Sequence, residues 1–113
     1  MSGKAILIGN SDGIGLATTR ELLKRGWKAV GISRSQSPIE DPSYEHIVAE
    51  VQSDEYSVKL KSVVEKHEPV DLCIFCAGID EMLDFSDMEG QVKTIEVNLL
   101  GMVKTASCVE LEI

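Results

Sequence analysis

Short apolar runs alternate along this chain with longer stretches that repeat at helical spacing. Residues 4–8, Lys-Ala-Ile-Leu-Ile, and 28–33, Lys-Ala-Val-Gly-Ile-Ser, read as strands. Between them, 16–25 reads as a helix, more from its boundaries than from its periodicity, with Gly26 where a glycine just past a helix end belongs. A polar loop with Pro38 and Pro42 leads to a third strand at 46–51. Ser53 is placed to cap a second helix whose first turn carries Asp54 and Glu55, favourable against the helix dipole. Tyr56, Leu60, Val63, Val64 and His67 step along it at helical spacing, and Pro69 ends it. A fourth strand is expected at 70–76. Strands alternating with helices predict an α/β fold with a parallel sheet and flanking helices.

The last stretch carries a second pattern. Ser86-Asp-Met-Glu89 reads as a capping box. Beyond it Val92, Ile95, Leu99, Met102, Ala106, Val109 and Ile113 recur at intervals of three and four, a heptad seam. Val97, Leu100, Cys108 and Leu111 form a second stripe to one side. One stripe can cover the sheet, which leaves the other for a partner. The plainer alternative is one wide apolar face buried within a single domain.

The turn after the first strand carries the candidate chemistry. It reads Gly9-Asn-Ser-Asp-Gly13-Ile-Gly15. A phosphate held at a helix N-terminus needs backbone N–H groups at close range, and side chains there would block it. The spacing differs from the common Gly-x-Gly-x-x-Gly fingerprint, and an ordinary tight turn is the alternative. Its place between a strand and a helix favours the phosphate loop.

Composition narrows the class. The chain has 113 residues, enough for one domain with a core, 43% of them hydrophobic and 27% charged. A net charge of −8 argues against nucleic acid and anionic membranes as partners. The first apolar run is too short for a signal peptide and no stretch approaches a membrane span, so a cytoplasmic location is expected. Three cysteines and no secretory signal make free thiols the default. Cys73-x-x-Cys76 falls within a strand, where positions i and i+3 face opposite sides, so it is not read as a metal or redox site. His46 and His67 belong to no ligand spacing and are expected at the surface or a helix end.

Gly9-x-x-x-Gly13-x-Gly15 resembles the cofactor loop of the short-chain dehydrogenase/reductase family. So do Gly31-Ile-Ser-Arg34 at the end of the second strand and Cys76-Ala-Gly78-Ile at the end of the fourth. Val97-Asn98-Leu-Leu-Gly101 is similar to the helix segment that carries the family's catalytic-site asparagine. The pieces occur in the family's order from residue 4 to about 109. Two positions depart from its pattern: Ile8 stands where it usually has Thr, and Phe75-Cys76 where it often has Asn-Asn.

The resemblance implies a Rossmann-like half: a four-stranded parallel sheet in the order 3-2-1-4, a single dinucleotide-binding domain over residues 1–113. It implies a cofactor site built from Gly9, Ser11, Asp12, Gly13, Ile14 and Gly15, with Ser33, Arg34, Glu50, Val51, Ala77 and Gly78 around it. Arg34 at the end of strand two, with no carboxylate there, suits a 2′-phosphate and favours NADP over NAD. Asp12 works against that choice, or serves as a helix cap. Family chemistry uses a Tyr-x-x-x-Lys pair, a serine and an asparagine. Only Asn98 can be placed, since Tyr44 and Tyr56 are followed at +4 by Val48 and Leu60.

Three functions stay open. The leading one is a truncated NAD(P)-binding member, inactive alone, that forms a homodimer through the last helix or the strand-four edge. The second is a fragment of an NADP-dependent oxidoreductase acting on a carbonyl or alcohol. The third is a non-enzymatic interaction module that has lost nucleotide binding.

Overall fold

The computed structural model describes residues 3–76 and Thr105. Its elements are β1 (Lys4–Ile8), α1 (Gly13–Lys24), β2 (Lys28–Ser33), β3 (Tyr44–Val48), α2 (Tyr56–His67) and β4 (Leu72–Phe75). The strands form one parallel sheet in the order β3-β2-β1-β4. β1 lies at its centre, with Ile6 opposite Val30 on one side and Cys73 on the other. This is the Rossmann-like half expected from the alternation of strands and helices.

Successive residues of a strand face opposite sides of a sheet, so each strand feeds two cores. Ile6, Ile8, Val30 and Ile32 pack with Tyr56, Leu60 and Val63 of α2, and Ile47, Val51, Val64, Cys73 and Phe75 border them. Ala5, Leu7 and Ala29 face the α1 side with Leu22, Leu23, Trp27 and Tyr44. The Tyr56 hydroxyl, fully buried, is hydrogen-bonded to Thr105 Oγ1.

The bounds of β1 and β2 match the apolar runs; those of the other four elements move. α1 begins at Gly13 and not at Leu16, because the Leu16 N–H already donates to the Asp12 carbonyl at 3.0 Å. Packing outweighs the poor helix propensity of two glycines. β3 runs 44–48 and not 46–51. Beyond Val48 the Ala49 N–H still reaches the Ser33 carbonyl (2.9 Å), but the chain then turns, with the Ser53 N–H on the Glu50 carbonyl. Ala49 and Val51 enter the core without ladder pairing. The turn also displaces the start of α2 to Tyr56, so Asp54 and Glu55 precede the helix and do not occupy its first turn. Ser53 Oγ does accept an N–H, from Glu55 at 3.1 Å, but inside that turn and not as the helix cap. β4 is limited to 72–75, with Asp71 and Cys76 extending the ladder by single N–H bonds to Lys4 and Ile8.

The capping box at Ser86, the seam Val92, Ile95, Leu99, Met102, Ala106 and Val109, and the second stripe lie outside the described residues.

Candidate functional site

The glycine turn sits at the carboxyl ends of the central strands, where open parallel sheets form their ligand crevice. Gly9 has φ +81° and its N–H donates to the Ile32 carbonyl at 2.7 Å, which ties the turn to β2. Gly13 has φ +55°, and nothing lies within 4 Å of where its Cβ would be. A side chain there would be strained and would occupy the open approach to the helix. Gly15 serves packing. A Cβ on it would lie 2.6 Å from the Gly9 carbonyl oxygen, 2.9 Å from Asn10 Cα and 3.2 Å from Cys76 Cβ. Its absence lets α1 sit directly on the turn and on the end of β4.

Asp12 holds the N-cap position in extended conformation, but its side chain makes no capping bond. The first turn of α1 carries no acidic residue. Its N–H groups and the positive end of the dipole therefore face outward unclaimed by a side-chain cap, as an anion site requires. Ser11 is half-buried, while Ile14 is 83% exposed beside the glycines.

A polar network lies behind the turn. Asn10 is fully buried, and its Nδ2 donates to Thr19 Oγ1 and to Tyr44 Oη, both at 3.0 Å. Thr19 passes its own proton to the Gly15 carbonyl at 2.8 Å. Tyr44 and His46 share the α1 face of β3, their rings stacked with centroids 5.8 Å apart and Tyr44 Oη 2.6 Å from His46 Nδ1. His46 Nε2 is 2.8 Å from the Ser35 carbonyl and 3.0 Å from Ser33 Oγ. Burial raises the Tyr44 pKa, with hydrogen bonds from Asn10 and Ser37 pulling the other way, so the phenol stays protonated as a donor. Gly31 makes room for this network. A Cβ there would overlap the Tyr44 hydroxyl and the Asn10 carboxamide, well inside the 3.0 Å that Cβ atoms essentially never breach.

Asn10, Tyr44 and His46 were not among the residues the sequence pointed to. Their signal was Gly31, since an isolated glycine inside a strand marks a close approach of other groups. The surface or helix-end placement expected for His46 is corrected: it lies in β3, half-buried and hydrogen-bonded. His67 is at a helix end, the last residue of α2, and contacts Glu45 Oε2 at 2.8 Å.

The remaining sequence-derived positions are spread along the same rim. Ser33 is buried at the end of β2, its hydroxyl donating to the Ser35 carbonyl at 2.6 Å. Arg34 beside it is exposed, as is Glu50; Val51 is half-buried against the α2 core. Cys73 packs on the α2 side, where burial pushes its thiol pKa up to about 11, whereas Cys76 lies against Gly15. Ala77, Gly78 and Asn98 lie outside the described residues.

A doubly wound parallel sheet with a glycine turn opening onto an uncapped helix defines a Rossmann-type nucleotide-binding fold. The family model for short chain dehydrogenase matches residues 4–110, and the chain belongs to that family. It is 31% identical over 112 residues to dehydrogenase/reductase SDR family member 11 of Gallus gallus, covering 87% of this chain and 44% of that protein. A short chain dehydrogenase from Leptospira borgpetersenii with bound NAD+ superposes with a TM-score of 0.85 at 21% identity, over 96% of this chain and 44% of that one. An actinorhodin polyketide ketoreductase with NADPH gives 0.80 at 23% identity, over 95% and 46%. The chain spans 44% of the length of the curated relatives it matches. No helix among the described residues is long and apolar enough to cross a membrane.

Proposed function

We propose that this chain binds a nicotinamide dinucleotide, with the pyrophosphate over the turn from Gly9 to Gly15 and the adenosine ribose beside Ser33 and Arg34. The observation that carries this reading is the open ground above Gly13, at the uncapped N-terminus of α1. Family membership supports the cofactor class, since structures similar to this chain hold NAD+ or NADPH. Ser11, Asp12 and Ile14 flank the pyrophosphate. Glu50 and Val51 border the adenine, and Ala77 and Gly78 are assigned to the cofactor by their match to the family's motif alone. The exposed guanidinium of Arg34 favours NADP over NAD, because a planar fork of donors pairs with a 2′-phosphate.

The 113 residues contain no Tyr-x-x-x-Lys, and of the family's catalytic set only Asn98 has a counterpart. The chain alone therefore binds cofactor without turning it over. It works as a cytoplasmic homodimer joined through the seam of its last helix, Val92 to Val109. Calorimetric titration with NADPH and with NAD+ tests the cofactor reading, with tighter binding of NADPH as the expected result. No heat and no thermal shift with either would overturn it in favour of an interaction module. A monomeric mass by light scattering at micromolar concentration would overturn the dimer.

A further inference from the structure

We propose that His46 is a positioning residue for cofactor discrimination at the ribose 2′ position: through Ser33 and Ser35 it holds the Arg34 loop, and through Tyr44 and Asn10 it ties that loop to the glycine turn. The proposal rests on the dinucleotide reading above. It concerns a side chain that lies behind the loops and need not touch the ligand.

Hydrogen-bond chemistry fixes the donor and the acceptor at each step of the network. The Ser35 carbonyl can only accept, so the 2.8 Å contact from His46 Nε2 requires a proton on that nitrogen. In the neutral ring Nδ1 is then an acceptor, and Tyr44 must donate to it. With its proton committed, Tyr44 Oη accepts from Asn10 Nδ2. The other Asn10 N–H goes to Thr19, and the Thr19 proton goes to the Gly15 carbonyl. Donors thus run outward from Asn10 along two branches, one ending on the Gly15 carbonyl in the first turn of α1 and the other on the Ser35 carbonyl in the loop after β2. They join the two segments assigned to pyrophosphate and ribose, and linked donors of this kind polarise one another.

The loop end is pinned on both sides of Arg34. The Ser35 carbonyl accepts from His46 Nε2 and from Ser33 Oγ, and Ser33 Oγ is itself 3.0 Å from His46 Nε2. Arg34 is exposed, so its own side chain does not fix its backbone. A long guanidinium can meet a 2′-phosphate in a two-point geometry only if the backbone it springs from is fixed. The Ala49 N–H holds the Ser33 carbonyl and Tyr44 meets Ser37 further along, while His46 is the side chain that contacts the residues on both sides of Arg34, Ser33 and Ser35.

The arrangement is costly, which sets it apart from incidental polarity. Asn10 Oδ1 is buried with no hydrogen-bond partner among the described residues. An orphaned buried acceptor has lost its water without gaining a partner, a net cost to folding. Gly31 occupies the middle of β2, where a residue with a side chain would make a better strand.

The test compares Kd for NADPH and NADH, by calorimetry, in the full chain and in three variants. His46→Leu keeps the bulk and removes both ring nitrogens. It is expected to weaken NADPH about tenfold, the size of one hydrogen bond to a charged or positioned group, and NADH about twofold or less. His46→Gln, which can still donate to the Ser35 carbonyl, is expected to restore most of the ratio. Tyr44→Phe loses only the hydroxyl and keeps the stacked ring; it is expected to shift the ratio in the same direction by about threefold. If His46→Leu fails to fold, Tyr44→Phe carries the test. An unchanged ratio of the two Kd values, or equal losses for both ligands, overturns the positioning role. Wild-type protein that binds neither ligand overturns instead the dinucleotide reading beneath it.

Discussion

The two faces of the sheet are built from the same four strands, and both bury apolar side chains, but the α1 face also carries an extended network of buried polar groups. The α2 face is largely aliphatic: Ile6, Ile8, Val30 and Ile32 meet Leu60 and Val63, with the aromatic residues Tyr56 and Phe75. The α1 face has an apolar part, Ala5, Leu7 and Ala29 packed with Leu22, Leu23, Trp27, Leu72 and Ile74, and beside it a polar part that the α2 face lacks, Asn10, Thr19, Tyr44 and His46 around Gly31. Hydrophobic burial is non-directional and tolerates exchange of similar volumes. A hydrogen-bonded face fixes orientation, and tolerates little. The first face therefore holds the half-domain together, while the second sets the relative position of the two loops that would grip a cofactor.

Substitutions on each face should separate those roles. Leu60→Ala opens a cavity in the aliphatic face and should lower stability by about 2–5 kcal/mol in urea unfolding, with the Kd for NADPH of the folded protein unchanged. A parallel loss of affinity would break the division of labour. Gly31→Ala, on the polar face, should cost about 1–3 kcal/mol by overpacking, yet weaken NADPH as well, because Tyr44 and Asn10 must move. A variant that lost stability and kept full affinity would show the network to be mere filling.

Two smaller effects are read by pH. Desolvation raises the Cys73 thiol from its ordinary 9.0 to about 11, so the folded protein holds that proton more tightly than the unfolded chain. The contribution to stability is full below about pH 9 and is lost as pH rises toward 11. Cys73→Val should flatten that part of the stability profile. At the other end, a hydrogen bond from Lys66, and a weaker one from His67, hold Glu45 below its ordinary 4.5 in spite of some desolvation. Its contribution is present above that value and is lost as pH falls below it. Lys66 Nζ is 3.0 Å from Glu45 Oε1, but the Lys66 side chain is 65% exposed and that of Glu45 39%, so water screens the pair, Glu45→Gln should cost less than about 1 kcal/mol and the effect should shrink in salt.

Legibility from the sequence followed locality. β1 and β2 were readable because apolar runs of five and six residues bounded by glycine and lysine have few other conformations in an α/β chain. β3 was expected two residues too late at its start because Tyr44 and Glu45 look like the end of a polar loop, and three too late at its end because Ala49 and Val51 are apolar; Tyr44, Glu45 and His46 are the polar positions of the strand. Each satisfies its polarity with residues far along the chain: Tyr44 with Asn10, Glu45 with Lys66, His46 with Ser33 and Ser35. α2 was expected too early because Ser53 does what an N-cap does, but for a turn. In the candidate site the glycines were legible and the groups behind them were not. Gly31 was the one visible trace, and it shows a space without saying what fills it.

The sequence by itself determined the order of strands and helices, the turn at Gly9, Gly13 and Gly15, and membership of the short-chain dehydrogenase family, because these depend on spacing and local conformation. Only the tertiary structure decided that Gly15 is a packing glycine while Gly13 leaves open ground, and that Asn10, 34 residues from Tyr44, joins the glycine turn to the loop carrying Arg34. The reason is physical. A hydrogen bond between distant side chains exists only after the sheet has set their separation and face, and hydrophobic periodicity carries no record of it.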